Sequence, residues 1–180
     1  TLGDSVLIQG MGPIGLLHLQ VILGLGIKQV VVTDLNPAKL ALAESLGATQ
    51  AILAEDDIST SLRELAPRGY DVVIDCTGVP NAIEGAIPFL RNTGRLLIFG
   101  VCPQDSMIKI SPFEIYRRDL QIIGSYALNH TMGEAVRLLE SGAVQTEKLV
   151  ARVMRREQLE KAFELLAHGK VDGKIHIAHE

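Results

Sequence analysis

The stretch VLIQGMGPIGLL, from Val6 to Leu17, places three glycines between two apolar segments. Gly10, Gly12 and Gly15 have the spacing G-x-G-x-x-G. This spacing alone is weak evidence, because any tight turn from a strand into a helix tolerates glycine. Its meaning therefore depends on the elements that flank it and on the residues that follow.

The flanking sequence meets the conditions for a dinucleotide-binding turn. Apolar runs and helical periodicity predict a strand, a helix and a second strand in this order: Ser5–Gln9, Pro13–Leu23 and Gln29–Asp34. Asp34 lies at the end of the second strand, 19 residues after Gly15. An acidic residue near this separation from the glycines binds the adenosine ribose in such folds. The sequence therefore favours dinucleotide binding over a purely structural glycine turn.

Each glycine has a physical role in this interpretation. Gly10 permits the sharp turn, and Gly12 lets the backbone approach a pyrophosphate. Gly15 lets the helix pack closely against the strand. The N-terminus of the helix offers N–H groups without intrahelical partners and the positive end of the helix dipole. The turn is thus predicted to bind the phosphates of the nucleotide.

The remaining sequence predicts a complete α/β fold. Four more strands alternate with helices, within Ala51–Ala54, Tyr70–Gly78, Gly94–Val101 and Leu120–Tyr126. Pro88 predicts an early end or a kink in the helix before the fifth strand. We expect a Rossmann doubly wound sheet of six parallel strands in the order 3-2-1-4-5-6, formed by residues 1–127. Residues 128–180 form a C-terminal α/β extension, with two helices and two strands predicted at Thr131–Ser141, Leu149–Met154, Glu157–His168 and Lys174–Ala178.

Composition narrows the class of protein. The 180 residues suffice for one full-sized core, and 47% of them are apolar. The formal net charge of −4, with both signs interspersed, argues against nucleic acid or a membrane surface as a partner. Cys76 and Cys102 form no CxxC motif, which indicates a reducing cytoplasm. The start TLGDSV lacks a methionine and a signal peptide, so we expect a portion of a longer protein.

With these motifs in place, the sequence resembles a known family. The stretches GDSVLIQGMGPIGLL, VVVTDLNPAKLALAESLGA and DVVIDCTG are similar to the coenzyme domain of the zinc-dependent medium-chain alcohol dehydrogenases, nearest the polyol, sorbitol and threonine dehydrogenase branch. The similarity continues through FEIYRRDLQIIGSY to the ending GKIHI. The form Gly-Met-Gly-Pro-Ile-Gly is typical of the zinc-dependent group, whereas the zinc-free quinone reductases of the same superfamily usually have an alanine-rich version.

The resemblance implies that residues 1–127 bind NAD and that residues 128–180 return to a catalytic domain. The catalytic zinc and the proton relay of that family lie mostly in a half that precedes this one. The further cofactor contacts implied are Pro13, Ile14, Thr77, Gly78, Val101, Ser125 and Tyr126. Lys39, the nearest cation after Asp34, is expected to soften the discrimination against NADP without reversing it. Ala127 and Leu128 stand where sorbitol and threonine dehydrogenases carry an arginine, which argues against their substrates.

The resemblance also implies an oligomer. Related dehydrogenases join two six-stranded sheets across the edge of the sixth strand, so a homodimer or homotetramer through Gln121–Ser125 is expected.

No histidine stands at a metal-binding spacing such as HExxH, and the two cysteines are separated along the chain. The chain alone is therefore expected to hold no zinc and to be inactive.

Two functional hypotheses remain open at this stage. The first is the NAD-binding portion of a dehydrogenase that oxidises a secondary alcohol or polyol by hydride transfer. The second is a self-sufficient NAD(H)-sensing module, because a fold alone does not fix function. A complete sensor should cover its own apolar faces, whereas a portion of an enzyme should expose apolar surface in its C-terminal segment.

Overall fold

The chain forms two compact units, Thr1–His130 and Thr131–Glu180. The computed structural model describes residues 3–27, 29–55, 57–126 and 130–179. The predicted boundary between Ala127 and Leu128 falls outside these ranges. Among the described residues, no helix has the length and apolar character needed to cross a membrane.

The first unit is built on one parallel sheet of six strands. The strands are β1 (Ser5–Gln9), β2 (Gln29–Asp34), β3 (Gln50–Leu53), β4 (Tyr70–Asp75), β5 (Leu90–Ile98) and β6 (Gln121–Gly124). Their order in the sheet is β3-β2-β1-β4-β5-β6, and every neighbouring pair is parallel. The predicted fold class and strand order are confirmed. The order reverses between β1 and β4, where a ligand cleft forms at the carboxyl ends of the strands in this class of sheet.

Five helices connect the strands. They are α1 (Pro13–Gly24), α2 (Pro37–Ser45), α3 (Ser59–Leu65), α4 (Pro80–Ala86) and α5 (Pro112–Arg118). All except α3 begin with proline, whose fixed φ suits the first helical position. Asn36 caps α2, since its side-chain oxygen accepts the N–H of Ala38 at 2.8 Å. Gly47 follows the end of α2 with φ of 105°, the left-handed conformation that glycine adopts without strain.

The fifth strand differs from its prediction. Pro88 lies in a short 3-10 turn, Ile87–Phe89, which ends α4 early as the sequence indicated. The strand itself then begins at Leu90 instead of Gly94, because a shift in register against β4 adds residues to its start. It ends at Ile98 instead of Val101, because the next two N–H groups both bond to the carbonyl of one β4 residue and the regular ladder stops there.

The core on one face of this sheet is mainly aliphatic. Alternate strand residues point into it, among them Leu7, Val31, Val73 and Leu96. Leu62 of α3 and Ile83 and Ala86 of α4 belong to the same cluster of buried side chains. Tyr70 is fully buried and donates its hydroxyl to the Leu62 carbonyl at 3.2 Å. This packing fixes where the carboxyl ends of β1, β2 and β4 lie, and those ends carry the candidate site.

The second unit contains α6 (Met132–Glu140), β7 (Val150–Arg155), α7 (Leu159–Ala167) and β8 (Lys174–Ala178). The two strands pair in parallel. Each helix has apolar side chains at positions i, i+4 and i+7 that remain exposed. They are Met132, Val136 and Leu139 in α6 and Leu159, Phe163 and Leu166 in α7. Helical periodicity places each set on one face of its helix, so both helices present an uncovered apolar stripe.

Candidate functional site

The turn between β1 and α1 is held by close backbone contacts. Gly10 has φ of 92°, and its N–H donates to the Thr33 carbonyl at 2.8 Å. A Cβ at Gly10 would also lie 3.0 Å from the methyl group of Thr77. Glycine is therefore required at this position by the fold itself, before any ligand is considered.

The fold requires glycine at position 15 for steric reasons but does not require it at position 12. A Cβ at Gly15 would lie 1.9 Å from the carbonyl oxygen of Gly10, so any side chain would force α1 away from the turn. Gly12 has φ of −68° and ψ of −179°, an extended conformation open to every residue type. Nothing lies within 4 Å of its Cβ position. The fold of the chain explains Gly15 but leaves the space beside Gly12 open.

The N-terminus of α1 begins beside this open space, and the first N–H groups of a helix have no intrahelical acceptor. Gly12 is the N-cap residue, and the first intrahelical bond runs from the Leu16 N–H to the Gly12 carbonyl at 3.0 Å. The N–H groups of Ile14 and Gly15 precede that bond and have no acceptor one turn earlier in the helix. Pro13, between Gly12 and Ile14, has no N–H to satisfy. Such a helix start attracts an anionic group through its N–H groups and its dipole.

Asp34 lies beside the same turn at the end of β2. One carboxylate oxygen accepts the N–H of Met11 at 2.6 Å, and the other accepts the N–H of Asn36 at 2.8 Å. The side chain thus ties the glycine turn to the start of α2. A carboxylate has about four acceptor positions, so further hydrogen bonds remain available.

A cavity of about 520 Å³ opens at these carboxyl ends. Of the residues singled out from the sequence, Gly10, Gly12, Asp34, Lys39 and Thr77 line it. The other lining residues are Gln9, Thr33, Leu35, Ala54, Ile58, Cys76, Val79 and Ala82. One end of the cavity is therefore the glycine turn, and much of the remaining wall is apolar.

Other residues from the sequence prediction lie outside this lining. Gly78, with φ of 66°, passes so close to Val101 that a Cβ there would lie 2.4 Å from the Val101 carbonyl oxygen. The loops that follow β4 and β5 are therefore in contact. Ser125 follows β6, and its N–H donates to the Ile98 carbonyl at 3.2 Å. Tyr126 is exposed.

Asp75 is a positioning residue that the sequence prediction missed. It is fully buried at the end of β4. Its carboxylate accepts hydrogen bonds from the Thr77 N–H at 3.1 Å, the Thr77 hydroxyl at 2.5 Å and the Gly78 N–H at 3.2 Å. These bonds shape the loop after β4. The signal in the sequence was a charged residue at the end of an otherwise apolar strand.

Cys76, at the cavity, and His18, in α1, are of residue types that can take part in catalysis. Cys76 lines the cavity, and burial together with the neighbouring Asp75 carboxylate raises the pKa of its thiol to about 12. The thiol is thus protonated at neutral pH and is a poor nucleophile. His18 packs edge-on against Phe99 with ring centroids 4.6 Å apart, and burial lowers its pKa. Within the described ranges, no group of three or more His, Cys, Asp or Glu side chains could hold a metal ion.

The doubly wound sheet, the glycine turn and the acidic end of β2 define a Rossmann-type domain, the class built around dinucleotides. The family model for zinc-binding dehydrogenases matches residues 13–141. The chain therefore belongs to the zinc-binding dehydrogenase family, and the resemblance inferred from the sequence is confirmed.

Individual relatives agree with this assignment. The chain is 36% identical to D-altritol 5-dehydrogenase of Agrobacterium fabrum, over 82% of this chain and 43% of that protein. It is 31% identical to D-arabinitol dehydrogenase 1 of Uromyces fabae, over 92% and 49% of the two chains. The structure of a zinc-binding dehydrogenase from Sinorhizobium meliloti 1021 bound to NADP superposes with a TM-score of 0.89 at 28% identity, covering 99% of this chain and 53% of that one. The chain thus spans about half the length of the relatives it matches.

Proposed function

We propose that this chain is the NAD(H)-binding portion of a zinc-dependent dehydrogenase that oxidises a secondary alcohol or polyol. The pyrophosphate is held at Gly12 and the N-terminus of α1, and the adenosine ribose by Asp34. The loops after β4, β5 and β6, which carry Thr77, Gly78, Val101, Ser125 and Tyr126, complete the remaining contacts. When bound, NAD supplies the acceptor for a hydride, and the residues of this chain bind and orient it.

The open space beside Gly12 is the observation that carries this proposal. Protein atoms account for Gly10 through its positive φ and for Gly15 through the carbonyl it touches. Nothing within the described structure requires glycine at Gly12. A phosphate that approaches the backbone to within hydrogen-bond distance of the helix N-terminus explains the missing side chain.

The substrate class and the zinc belong to the whole protein. Two relatives are named for polyols, D-altritol and D-arabinitol, which supports a polyol or other secondary alcohol as the substrate and favours the zinc-dependent group over the zinc-free quinone reductases. We propose that the zinc and its ligands come from outside these 180 residues and that the chain alone is inactive. In the whole protein the metal would polarise the alcohol oxygen as a Lewis acid. Ala127 and Leu128, which bear on the substrate by resemblance, lie outside the described residues.

Location in the cell is also part of the proposal. Cys76 and Cys102 are both free thiols. Free thiols in a dehydrogenase domain agree with a reducing compartment. We therefore place the protein in the cytoplasm.

The exposed apolar stripes of α6 and α7 favour this proposal over a self-sufficient NAD(H) sensor. Three apolar side chains on each helix face solvent at helical spacing. A complete module would bury such faces, since exposed apolar stripes carry a free-energy cost and promote association. A catalytic domain that packs on the second unit accounts for both stripes.

The first prediction concerns Gly12. We expect Gly12→Ala to leave the free energy of unfolding within about 0.5 kcal/mol of the wild-type value, because its Cβ meets no protein atom. We expect the affinity for NAD to fall about ten- to a hundredfold, because the methyl group occupies the approach of the pyrophosphate. Isothermal titration calorimetry and urea unfolding measure the two effects.

Gly24→Ala is the matched control for this prediction. Gly24 ends the same helix, and its Cβ position is equally open. Its substitution should leave the affinity for NAD unchanged. Wild-type protein that does not bind NAD, or a Gly12→Ala variant that binds it as tightly as wild type, would contradict the proposed site.

A second prediction concerns the open edge at β6. This strand is the last in the sheet, which agrees with the dimer proposed from the resemblance. The Ser125 N–H bonds back to β5, so the alternation along the strand points the Gly124 N–H toward the open edge. Ile123 is 43% exposed there. A second copy that pairs in antiparallel orientation about a two-fold axis would supply hydrogen-bond partners for the N–H and C=O groups at this edge.

We therefore expect light scattering to show a dimer, or a tetramer built from such dimers, at micromolar concentration. Ile123→Glu should shift it toward the monomer, because it places a negative charge on each copy at the edge where the strands would pair. Leu25→Glu, at an exposed apolar position after α1, should leave the assembly unchanged. A monomeric wild-type chain, or an assembly that is insensitive to Ile123→Glu, would argue against pairing at this edge.

A further inference from the structure

A second cavity, of about 680 Å³, opens at the amino ends of the strands. Ser5, Gln29 and Leu90 begin β1, β2 and β5 and line this amino-end cavity, whereas the glycine turn follows the end of β1. Neighbouring strands of the sheet are all parallel, so the two cavities lie at opposite ends of it. A ligand in the amino-end cavity would therefore not compete for the atoms of the glycine turn.

Positive charge dominates the wall of the amino-end cavity. Among its described lining residues, Arg63, Arg68, Arg91 and Arg118 are basic and Asp71 is acidic. Arginine stays protonated at every pH at which proteins fold. The wall thus carries four positive charges against one negative charge, although the whole chain has a formal net charge of −4. A concave wall with charge of one sign concentrates its field inside the cavity and attracts ions of the opposite sign.

The one carboxylate of this wall already has partners. Asp71 accepts the N–H and the hydroxyl of Ser5 at 2.8 and 3.0 Å, and it pairs with the Nε–H of Arg91. Burial raises the pKa of this carboxyl, but the bonds from Ser5 and Arg91 outweigh burial and hold the pKa below its ordinary value. Asp71 is therefore ionised at neutral pH and neutralises Arg91, which leaves the other three arginines to be accounted for.

Arg118 is held at the wall by the fold. Its side chain is 11% exposed, and its guanidinium donates to the carbonyl oxygens of Ile87, at 3.3 Å, and of Leu90. These carbonyls accept hydrogen bonds but carry no net charge. The Glu114 carboxylate lies 3.7 Å from Arg118 and pairs more closely with Arg117, at 3.0 Å. The charge of Arg118 is thus fixed in a partly buried place with only part of a counter-charge.

Arg63 and Arg68 have no counter-charge within the described ranges. Neither forms a hydrogen bond or an ion pair with another described residue. The guanidinium carbon of Arg63 lies 5.5 Å from the centroid of the Phe89 ring, a contact that orients the group without neutralising it. Both arginines are exposed, so their donors can turn toward an anion in the cavity.

Helix ends account for only part of this cluster. Arg63 and Arg118 lie in the last turns of α3 and α5, where a positive charge also interacts well with the helix dipole. Arg91 pairs with Asp71. Arg68 lies in the turn between α3 and β4, so neither a helix end nor an ion pair explains it. Arg68 is therefore the residue on which a binding role can be tested most directly.

We propose that the amino-end cavity binds a small polyanion, which Arg63, Arg68 and Arg118 contact through its anionic oxygens. Three guanidinium groups without a full counter-charge match a ligand with at least two anionic groups. The planar fork of arginine donates two parallel hydrogen bonds to a carboxylate or a phosphate, which a lysine ammonium does not. The volume lies within the usual range of small-molecule sites, about 300–1,000 Å³. This site is separate from the proposed dinucleotide site.

The first experiment titrates the 180-residue chain with citrate and with pyrophosphate by isothermal titration calorimetry at constant ionic strength. Both probes carry more than one anionic group, and acetate, which carries one, is the reference. We expect at least one of the two to bind about tenfold or more tightly than acetate. Tighter binding of citrate would assign the site to carboxylates, and tighter binding of pyrophosphate would assign it to phosphates.

Variants locate the bound probe. Arg68→Gln removes the charge and should weaken binding of the tighter probe about tenfold, and adding Arg63→Gln should weaken it further. Arg152→Gln is the matched control, because it removes the same charge at an exposed position of β7 and should leave the affinity unchanged. Gly12→Ala should also leave it unchanged, since the glycine turn lies at the other end of the sheet.

Thermal unfolding gives an independent readout. A ligand that binds only the folded chain raises its Tm, so the tighter probe at ten times its Kd should raise the Tm by about 3–6 °C over sodium chloride of equal ionic strength. The Arg63→Gln/Arg68→Gln variant should show less than half of this shift. Without the probe its Tm should equal or exceed that of wild type, because two like charges have been removed.

The outcomes separate this inference from the proposed function. Binding of citrate and pyrophosphate no tighter than that of acetate would overturn the inference. Binding that is insensitive to Arg68→Gln, or that NAD displaces, would overturn it as well, because the probe would then occupy another site. NAD is titrated into the same preparation, so a chain that binds NAD but neither probe retains the proposed function. A chain that binds a probe through Arg68 but does not bind NAD supports the inference and contradicts the proposed function.

Discussion

Replacing Gly15 by alanine is expected to lower the free energy of unfolding by about 3 kcal/mol or more and to abolish measurable NAD binding. The added methyl carbon would lie 1.9 Å from the Gly10 carbonyl oxygen and 3.0 Å from the end of the Met11 side chain. A backbone oxygen cannot move aside as a flexible side chain can, so α1 must shift away from β1. The N–H groups proposed to bind the phosphates would move with it.

Denaturant unfolding should show this as a lower midpoint, and thermal unfolding as a fall in Tm of about 6–12 °C. Gly24→Ala, in the same helix but with open space at its Cβ, is the control and should change stability little. Gly12→Ala gives the complementary comparison, since it should reduce binding without loss of stability. A Gly15→Ala variant within about 0.5 kcal/mol of wild type would show that the helix is not held against the Gly10 carbonyl.

The sequence predicted the elements whose limits are set locally. The bounds of β1 and β2 were correct, because each strand is an apolar run bounded by turn residues. The start of α2 was correct because Asn36 and Pro37 carry a cap and a fixed φ. The bounds of β5 were wrong at both ends. They depend on the register against β4 and on hydrogen bonds to the Asp75 carbonyl, which are contacts between distant parts of the chain.

The residues of the candidate site likewise divide into those that could be predicted from the sequence and those that depend on contacts in the fold. The glycine spacing and Asp34 could be found from sequence, because a known physical role attaches to each position in the motif. Asp75 and Gln9 were missed, since a polar residue at the end of a strand looks the same in the sequence whether it is exposed, paired or orphaned. Only the fold shows that Asp75 is buried with three donors and that the Gln9 Oε1 is buried with no hydrogen-bond partner among the described residues.

The choice between NAD and NADP is expected to depend on Asp34. A carboxylate at the end of β2 accepts hydrogen bonds from the ribose hydroxyls of NAD, each worth about 1.5–3 kcal/mol because the acceptor is charged. NADP replaces the 2′-hydroxyl with a phosphate, which removes a donor and brings a second negative charge toward the first. Lys39 also lines the cavity and offsets part of this repulsion. We expect NAD to be preferred by about ten- to a thousandfold, measured by titration of the chain with both cofactors.

The structure determines which variant tests this preference. Asp34 also accepts the N–H groups of Met11 and Asn36, so Asp34→Ala would remove two bonds that shape the turn and would weaken binding of both cofactors. Asp34→Asn keeps the size and one acceptor oxygen while it removes the charge. It should therefore change the ratio of the two affinities by about tenfold in favour of NADP, with a smaller loss of stability than Asp34→Ala. Wild-type protein that binds NADP as tightly as NAD, or an Asp34→Asn variant with an undiminished preference for NAD, would show that Asp34 acts on the turn alone and does not select the cofactor.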